Sequence, residues 1–460
     1  MATLDEVLAR IDANQEAALK RLFSLLEIRS ISADPAYKDD CEKAARWLET
    51  ELSSLGFSAS VRETAGHPMV VAHAKAQRRD VPHILFYGHY DVQPADPLDL
   101  WESDPFAPRL VQGEQGQRIV ARGAADDKGQ LMTFVEACRA FIETGGLPCD
   151  VTLLFEGEEE CGSPSLPAFL AQHKPDLVAD LAMLCDTNMW DRDTPMITTM
   201  LRGLALEEVI ITGATRDLHS GLFGGAAVNP IHILGKIIAD LRDDTGRITL
   251  PGFYDGVEEL PDEIAQQWRA LGLDERSFLG DVGLALPAGE AGRSVLEMIW
   301  SRPTCDVNGI IGGYTGAGSK TVLPSRASAK FSFRLVGAQD PEAVLESFRS
   351  FVRARLPADC AVEFIRHGAS PALTLPFASE LLSRARRALQ QEWGKEPVLG
   401  GSGGSIPIVG DFKRSLGMDA LMIGFGLDDD KIHSPNEKYE LKSFKKGARS
   451  WARVLSALSG

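Results

Sequence analysis

Residues 153–163 read LLFEGEEECGS. The apolar run 151–155 has the length and β-rich content of a buried strand, and it ends in Glu156, Glu158, Glu159 and Glu160 before Gly162 stops it. So much like charge at a strand end is unfavourable unless a multivalent cation neutralises it, and carboxylate oxygens suit hard or borderline divalent metals. The alternative for an arbitrary Glu run is a solvated acidic turn. The surrounding chain decides between the two.

Working outward, strand-like segments at 69–74 and 83–87 precede this stretch and another at 177–185 follows it. Helical spacing marks 4–28, about 39–55 (stopped by Gly56) and 128–144. Strands alternating with helices predict an α/β unit with a mostly parallel mixed sheet covered by helices, whose ligand sites lie at the carboxyl ends of the strands. The acidic cluster sits at such an end.

The pattern changes near Gly203. Strands at 206–212, 306–311, 327–335 and 361–366 and helices at 229–241 and 341–355 follow in the order β-α-β-β-α-β, which predicts an inserted ferredoxin-like α+β domain. Asp340-Pro341 is an N-cap and N1 pair for its second helix. A Pro-, Gly- and acid-rich segment at about 247–300 is an insertion within it. Helices at 378–393 and 441–458 return the chain to the first domain. The expected division is 1–203 and 372–460 for the catalytic domain and 204–371 for the inserted one.

Composition bounds the partners. With 460 residues and a net charge of -17, the chain has a sizeable core but no cluster of Lys and Arg to meet nucleic-acid phosphates or an anionic membrane. No stretch reaches the ~20 apolar residues of a membrane span, and the N-terminus reads as a charged helix rather than a signal. Seven cysteines without C-x-x-C make neither a disulfide framework nor a zinc ribbon. A cytoplasmic protein with reduced thiols is expected.

Candidate site residues come from separated loops. In GHYDVQP (88–94), His89 and Asp91 are two apart, so in extended chain one carboxylate can orient an imidazole whose other nitrogen binds metal. Asp126 and Asp127 precede a helix in RGAADDKGQ (122–130), Asp186 follows a strand in CDTNMW (185–190), and His433 sits in IHSPNEK (432–438). Two histidines and three carboxylates sharing one bridge have the composition of a two-metal hydrolase. Two Gly-rich stretches invite comparison with phosphate loops. GYTGAGSKT (313–321) has Ser319 where the lysine should be, and GGSGGSIP (400–407) has no lysine.

Together with DLHSGLFGG (217–225) and GSGGSIPI (401–408), these motifs occur in the order and approximate spacing of the di-metal aminoacylase and carboxypeptidase family. They most resemble its carnosinase and cytosolic nonspecific dipeptidase branch. The resemblance implies His89, Asp126, Glu160, Asp186 and His433 as metal ligands with Asp126 bridging, and Glu159 as general base. It implies Asp91 as the residue that orients His89, and a cis Asp126-Asp127 peptide. It also implies a homodimer through the inserted lid domain, with His219 polarising the scissile carbonyl in the partner's site. Thr321, Arg334 and Ser405 would hold the substrate carboxylate. The implied reaction is hydrolysis of dipeptides or short peptides with a free C-terminal carboxylate, by a hydroxide bridging two divalent ions, zinc first and manganese or cobalt as alternatives. An N-acyl-amino-acid amidohydrolase would use the same site. A catalytically silent binding paralogue would have lost a ligand or the base, and every one of those positions is occupied here.

Overall fold

The computed structural model describes residues 2–280, 282–404 and 407–459. Contacts divide the chain into one unit of Met1–Thr199, Leu375–Leu399 and Asp411–Gly460 and a second of Met200–Thr374 and Gly400–Gly410.

In the first unit a mixed sheet runs in the order Ser58–Arg62, Met69–Ala74, Asp150–Glu156, His83–His89, Leu181–Leu184, Ala420–Met422, Met196–Leu201. Parallel pairing joins the four strands Asp150–Glu156, His83–His89, Leu181–Leu184 and Ala420–Met422, and the strands on either side of them pair antiparallel. Register places the site: His89 lies opposite Glu156 and Tyr87 opposite Leu184, so three parallel strands deliver His89, the glutamate run and Asp186 at their common carboxyl end. The helices Lys128–Thr144 and Leu441–Ser459 belong to this unit. Phe134 stacks on Phe86 at 3.8 Å, and Trp451 meets both edge-on at 5.5 and 5.3 Å, all fully buried.

Three expectations need correction. The sheet is mixed rather than mostly parallel, because the strands flanking its parallel core pair antiparallel on both sides. The strand expected at 177–185 is Leu181–Leu184, and Leu177 instead closes the helix Leu166–Leu177. The predicted helix 4–28 is two helices, Leu4–Ala13 and Gln15–Leu26, separated at Asn14. Asn14 leaves helical geometry and donates its amide to Glu143, a contact that periodicity does not encode.

The second unit contains a four-stranded antiparallel sheet ordered Thr304–Gly312, Arg326–Leu335, Gly203–Thr212, Ala361–Ser370, with helices Pro230–Asp240 and Pro341–Arg353. Asn229 and Asp340 cap these helices through their side chains, each followed by proline. Within the expected insertion lie the helices Asp262–Ala270 and Glu275–Gly280, a buried Glu290–Arg302 pair at 2.7 and 3.0 Å, and an edge-on contact of Trp268 with Trp300. The main core places Phe348 between Phe331 and Phe333, with ring centroids at 4.8 and 5.1 Å. Phe348→Ala is expected to destabilise this unit by about 3–5 kcal/mol in denaturant unfolding, with metal content per folded chain unchanged.

Among the described residues no helix is long and apolar enough to cross a membrane, and all seven cysteines are free.

Candidate metal centre

The parallel strands bring His89 to Asp126 and Asp186, while the loop before the last helix brings His433 to Asp126 and Glu160. The candidate ligand atoms in each trio lie within 4.8 Å of one another. Asp126 belongs to both trios. Its Oδ1 is 3.0 Å from His89 Nε2 and its Oδ2 is 2.9 Å from His433 Nε2, so each oxygen faces a different imidazole. Asp186 Oδ2 stands 4.0 Å from His89 Nε2, and Glu160 Oε2 stands 3.2 Å from His433 Nε2. The Asp126-Asp127 peptide is cis.

The four glutamates of the run have separate environments. Glu156 is buried and accepts from the Tyr87 hydroxyl at 2.6 Å, and burial pushes its carboxyl up to about 8. Glu158 is a brace: it accepts from the His67 and Ser165 amides at 2.9 and 3.1 Å. It passes so close to Gly66 that a Cβ there would collide with its carboxylate. Glu160 accepts from the Gln93 side-chain amide at 2.9 Å and faces His433. Of these four, Glu159 alone has a carboxylate that accepts from no side chain or amide among the described residues; desolvation, then neighbouring Asp126 and Glu160, raise its pKa.

Asp91 does more than the H-x-D spacing predicts. His89 Nδ1 lies 3.1 Å from the Asp91 carbonyl oxygen and 3.4 Å from its carboxylate, which places the proton on Nδ1 and leaves Nε2 free for a cation. The same carboxylate accepts from the Glu159 and Glu160 amides at 3.3 and 3.0 Å and from Ser32 Oγ at 2.6 Å. It therefore orients the imidazole and the turn carrying Glu159 together. Ser32 lies 59 residues away and carries no local signal in the sequence; Gln93 was visible only as part of GHYDVQP.

The cluster is built for cations. Desolvation, then the charges of Asp126 and Asp127, holds the Asp186 carboxyl well above its ordinary value, and burial raises Asp127 to about 7. Hydrogen bonds to Asp126 and Glu160 raise His433 to about 10. Carboxylates in this excess over two imidazoles are relieved by divalent ions, and the imidazole and carboxylate donors fit zinc, manganese or cobalt.

In the second unit, His219 and Thr321 come together. Leu218–His219 pairs with Val322–Leu323, and the Ser220 amide donates to the Thr321 carbonyl at 3.1 Å. His219 is exposed, and its Nδ1 accepts from the Gly221 amide. Arg334 is half-buried on the strand Arg326–Leu335, with no carboxylate paired to it among the described residues. Ser405 lies outside the described residues.

The family model for Peptidase family M20/M25/M40 matches residues 85–457, which takes in the five candidate ligands, Asp91, Glu159, His219, Thr321, Arg334 and Ser405. The chain belongs to this family. A Cys-Gly metallodipeptidase of Candida albicans is 30% identical over 457 residues, covering 95% of this chain and 93% of the relative. Human Beta-Ala-His dipeptidase is 29% identical over 472 residues, covering 98% and 92%. The crystal structure of an M20 family metallo-carboxypeptidase from Sulfolobus solfataricus superposes with a TM-score of 0.81 at 31% identity, covering 96% of this chain and 99% of the other. This M20 chain is accordingly a metallopeptidase of the dipeptidase and carboxypeptidase type, hydrolysing peptide bonds at a dinuclear metal site.

Proposed function

We propose that this M20 peptidase hydrolyses dipeptides and short peptides with a free C-terminal carboxylate. His89, Asp126 and Asp186 would hold one ion and Asp126, Glu160 and His433 the other, with Glu159 as general base. The observation that carries this reading is the two-sided Asp126 carboxylate, one oxygen toward each histidine. Bound divalent ions supply acidification of water and polarisation of a carbonyl. Glu159 has a free carboxylate whose pKa is raised, which suits it to take a proton from the attacking water and return it to the leaving amine.

In the second unit, Arg334 is paired with no carboxylate among the described residues, which supports its role, with Thr321 and Ser405, in holding the substrate carboxylate, because a guanidinium grips a carboxylate bidentately. The same unit would act as lid and dimerisation domain, with His219 donating to the developing oxyanion in the partner's site. Ile310 and Ile311 are 61% and 63% exposed on the edge strand Thr304–Gly312, and exposed isoleucines on an open edge strand support a subunit contact there. Cys-Gly and β-Ala-His are the first substrates to try, since the relatives' names carry them.

The test is metal content and turnover on one purified sample, before and after chelation, with zinc and manganese returned separately. Rescue of dipeptide hydrolysis by one ion supports the proposal. A dipeptide amide is expected to lose about 10²-fold or more in kcat/KM, since a site built for a charged partner rejects an analogue lacking it. Preference for an N-acetyl amino acid over every dipeptide would instead make the chain a deacylase.

A further inference from the structure

We propose that Glu437 is a positioning residue which, with Arg122, sets both metal-bearing loops in place before any ion binds. The inference rests on the dinuclear reading of His433 and Asp126 and concerns a residue outside both ligand trios. Glu437 is completely buried, four residues after His433. Its Oε2 accepts from Arg122 Nη1 at 2.7 Å and the Gly123 amide at 2.9 Å. Its Oε1 accepts from the Ala125 and Asp126 amides at 2.9 and 3.2 Å. Three main-chain amides and a guanidinium thus close around one carboxylate, as an anion-binding nest closes around a phosphate, except that the anion is the protein's own.

The consequence is geometric. The loop that ends in Asp126 is wrapped on a side chain that belongs to the loop carrying His433. The Ala121 amide also donates to the Glu437 carbonyl, and Lys438–Glu440 continues as a strand paired with Gly116–Val120. Arg122 extends the link to a third loop: its Nη2 donates to the Pro94 carbonyl at 3.1 Å, next to Gln93, whose amide holds Glu160. One buried ion pair therefore ties the segments carrying His433, Asp126 and the Glu160 partner.

His433 needs such a tie. Its φ is +61°, and Lys431 and Asn436 also have positive φ, so three non-glycine residues in six occupy the left-handed region. That conformation costs free energy at each position and persists only when surrounding contacts over-determine it. Asn436 is held at both ends, accepting from the Glu102 amide and donating to the Leu100 carbonyl, and Glu437 secures the next residue. Buried ion pairs are weak sources of stability compared with apolar packing, so a role in fixing register accounts for this pair better than stability does.

Glu437→Gln keeps the shape but turns one acceptor into a donor, which in one orientation faces Arg122 and the Gly123 amide and in the other the Ala125 and Asp126 amides. In metal-free protein, hydrogen exchange of the segment 122–127 is expected to speed about tenfold or more, and affinity for zinc or manganese, read against a competing chelator, to fall about 10–100-fold. Arg122→Lys, which keeps the charge but cannot reach both Glu437 and Pro94, is expected to shift both readouts in the same direction and serves if the first variant does not fold. The control is Glu136→Gln, which breaks a bidentate, partly buried pair in the same unit (Arg21, 2.7 and 2.6 Å) and should change neither readout. Wild-type affinity and exchange in Glu437→Gln, or an equal loss in Glu136→Gln, would overturn the proposal. His433→Asn separates the two layers: if it loses metal while Glu437→Gln does not, only the clamp fails, and if it binds metal like wild type, the dinuclear reading fails and the clamp with it.

Discussion

Glu159→Gln is expected to lower kcat by about 10²–10⁴-fold, the usual contribution of a positioned general acid-base group, while metal content stays at the wild-type level. Glu159 belongs to neither trio of candidate ligands, so its loss leaves the donor set intact. The amide is isosteric and keeps the backbone contact from the residue 159 amide to Asp91. It cannot accept a proton from water at neutral pH, and that single chemical difference separates the variant from the wild type. Kinetics and metal analysis on the same preparation check both halves. A variant with full metal and near-normal turnover would remove Glu159 from the mechanism.

Asp126→Asn is expected to act differently, by dismantling the centre. Asp126 is the one residue common to both trios, and its two oxygens face His89 and His433 at 3.0 and 2.9 Å. An amide offers one oxygen and one N–H group, so it can serve one side only. Bound metal should fall to at most one ion per chain, and kcat/KM should drop by at least about 10³-fold, equivalent to about 4 kcal/mol of transition-state stabilisation. The two variants are distinguishable by stoichiometry: Glu159→Gln keeps the metals and loses the proton carrier, whereas Asp126→Asn loses metal. Retention of two tightly bound ions in Asp126→Asn would exclude it as the bridge.

Much of this was legible before any coordinates. The helix at 128–144 and the strand at 150–156 follow from apolar periodicity bounded by glycine, and both are found within a residue of their expected limits. His89, Asp126, Asp186 and the glutamate run could be picked out because they stand beside the ends of strands or a helix, where an α/β sheet exposes its ligand sites, and His433 because it lies in a polar loop; the choice of Glu160 within the run came from the family resemblance. The two-helix start of the chain was not read from the sequence; at the break Asn14 donates to Glu143, which is remote in sequence.

The sequence by itself determined the donor types, the family and the longest elements, since propensity, periodicity and motif spacing act over a few residues and survive in the one-dimensional record; the short strands Ser58–Arg62, Met196–Leu201 and Ala420–Met422 and the helix Leu166–Leu177 were not read from it. Tertiary structure alone decided what each carboxylate does. Nothing in EGEEECGS separates the Tyr87 partner Glu156, the brace Glu158, the unengaged Glu159 and Glu160 beside His433; their neighbours do. Those neighbours lie far along the chain: His67 is 91 residues from Glu158, Ser32 is 59 from Asp91, and Arg122 is 315 from Glu437. A buried carboxylate takes its protonation and its role from the donors and charges that folding brings within about 3–6 Å, and no local rule specifies which those will be.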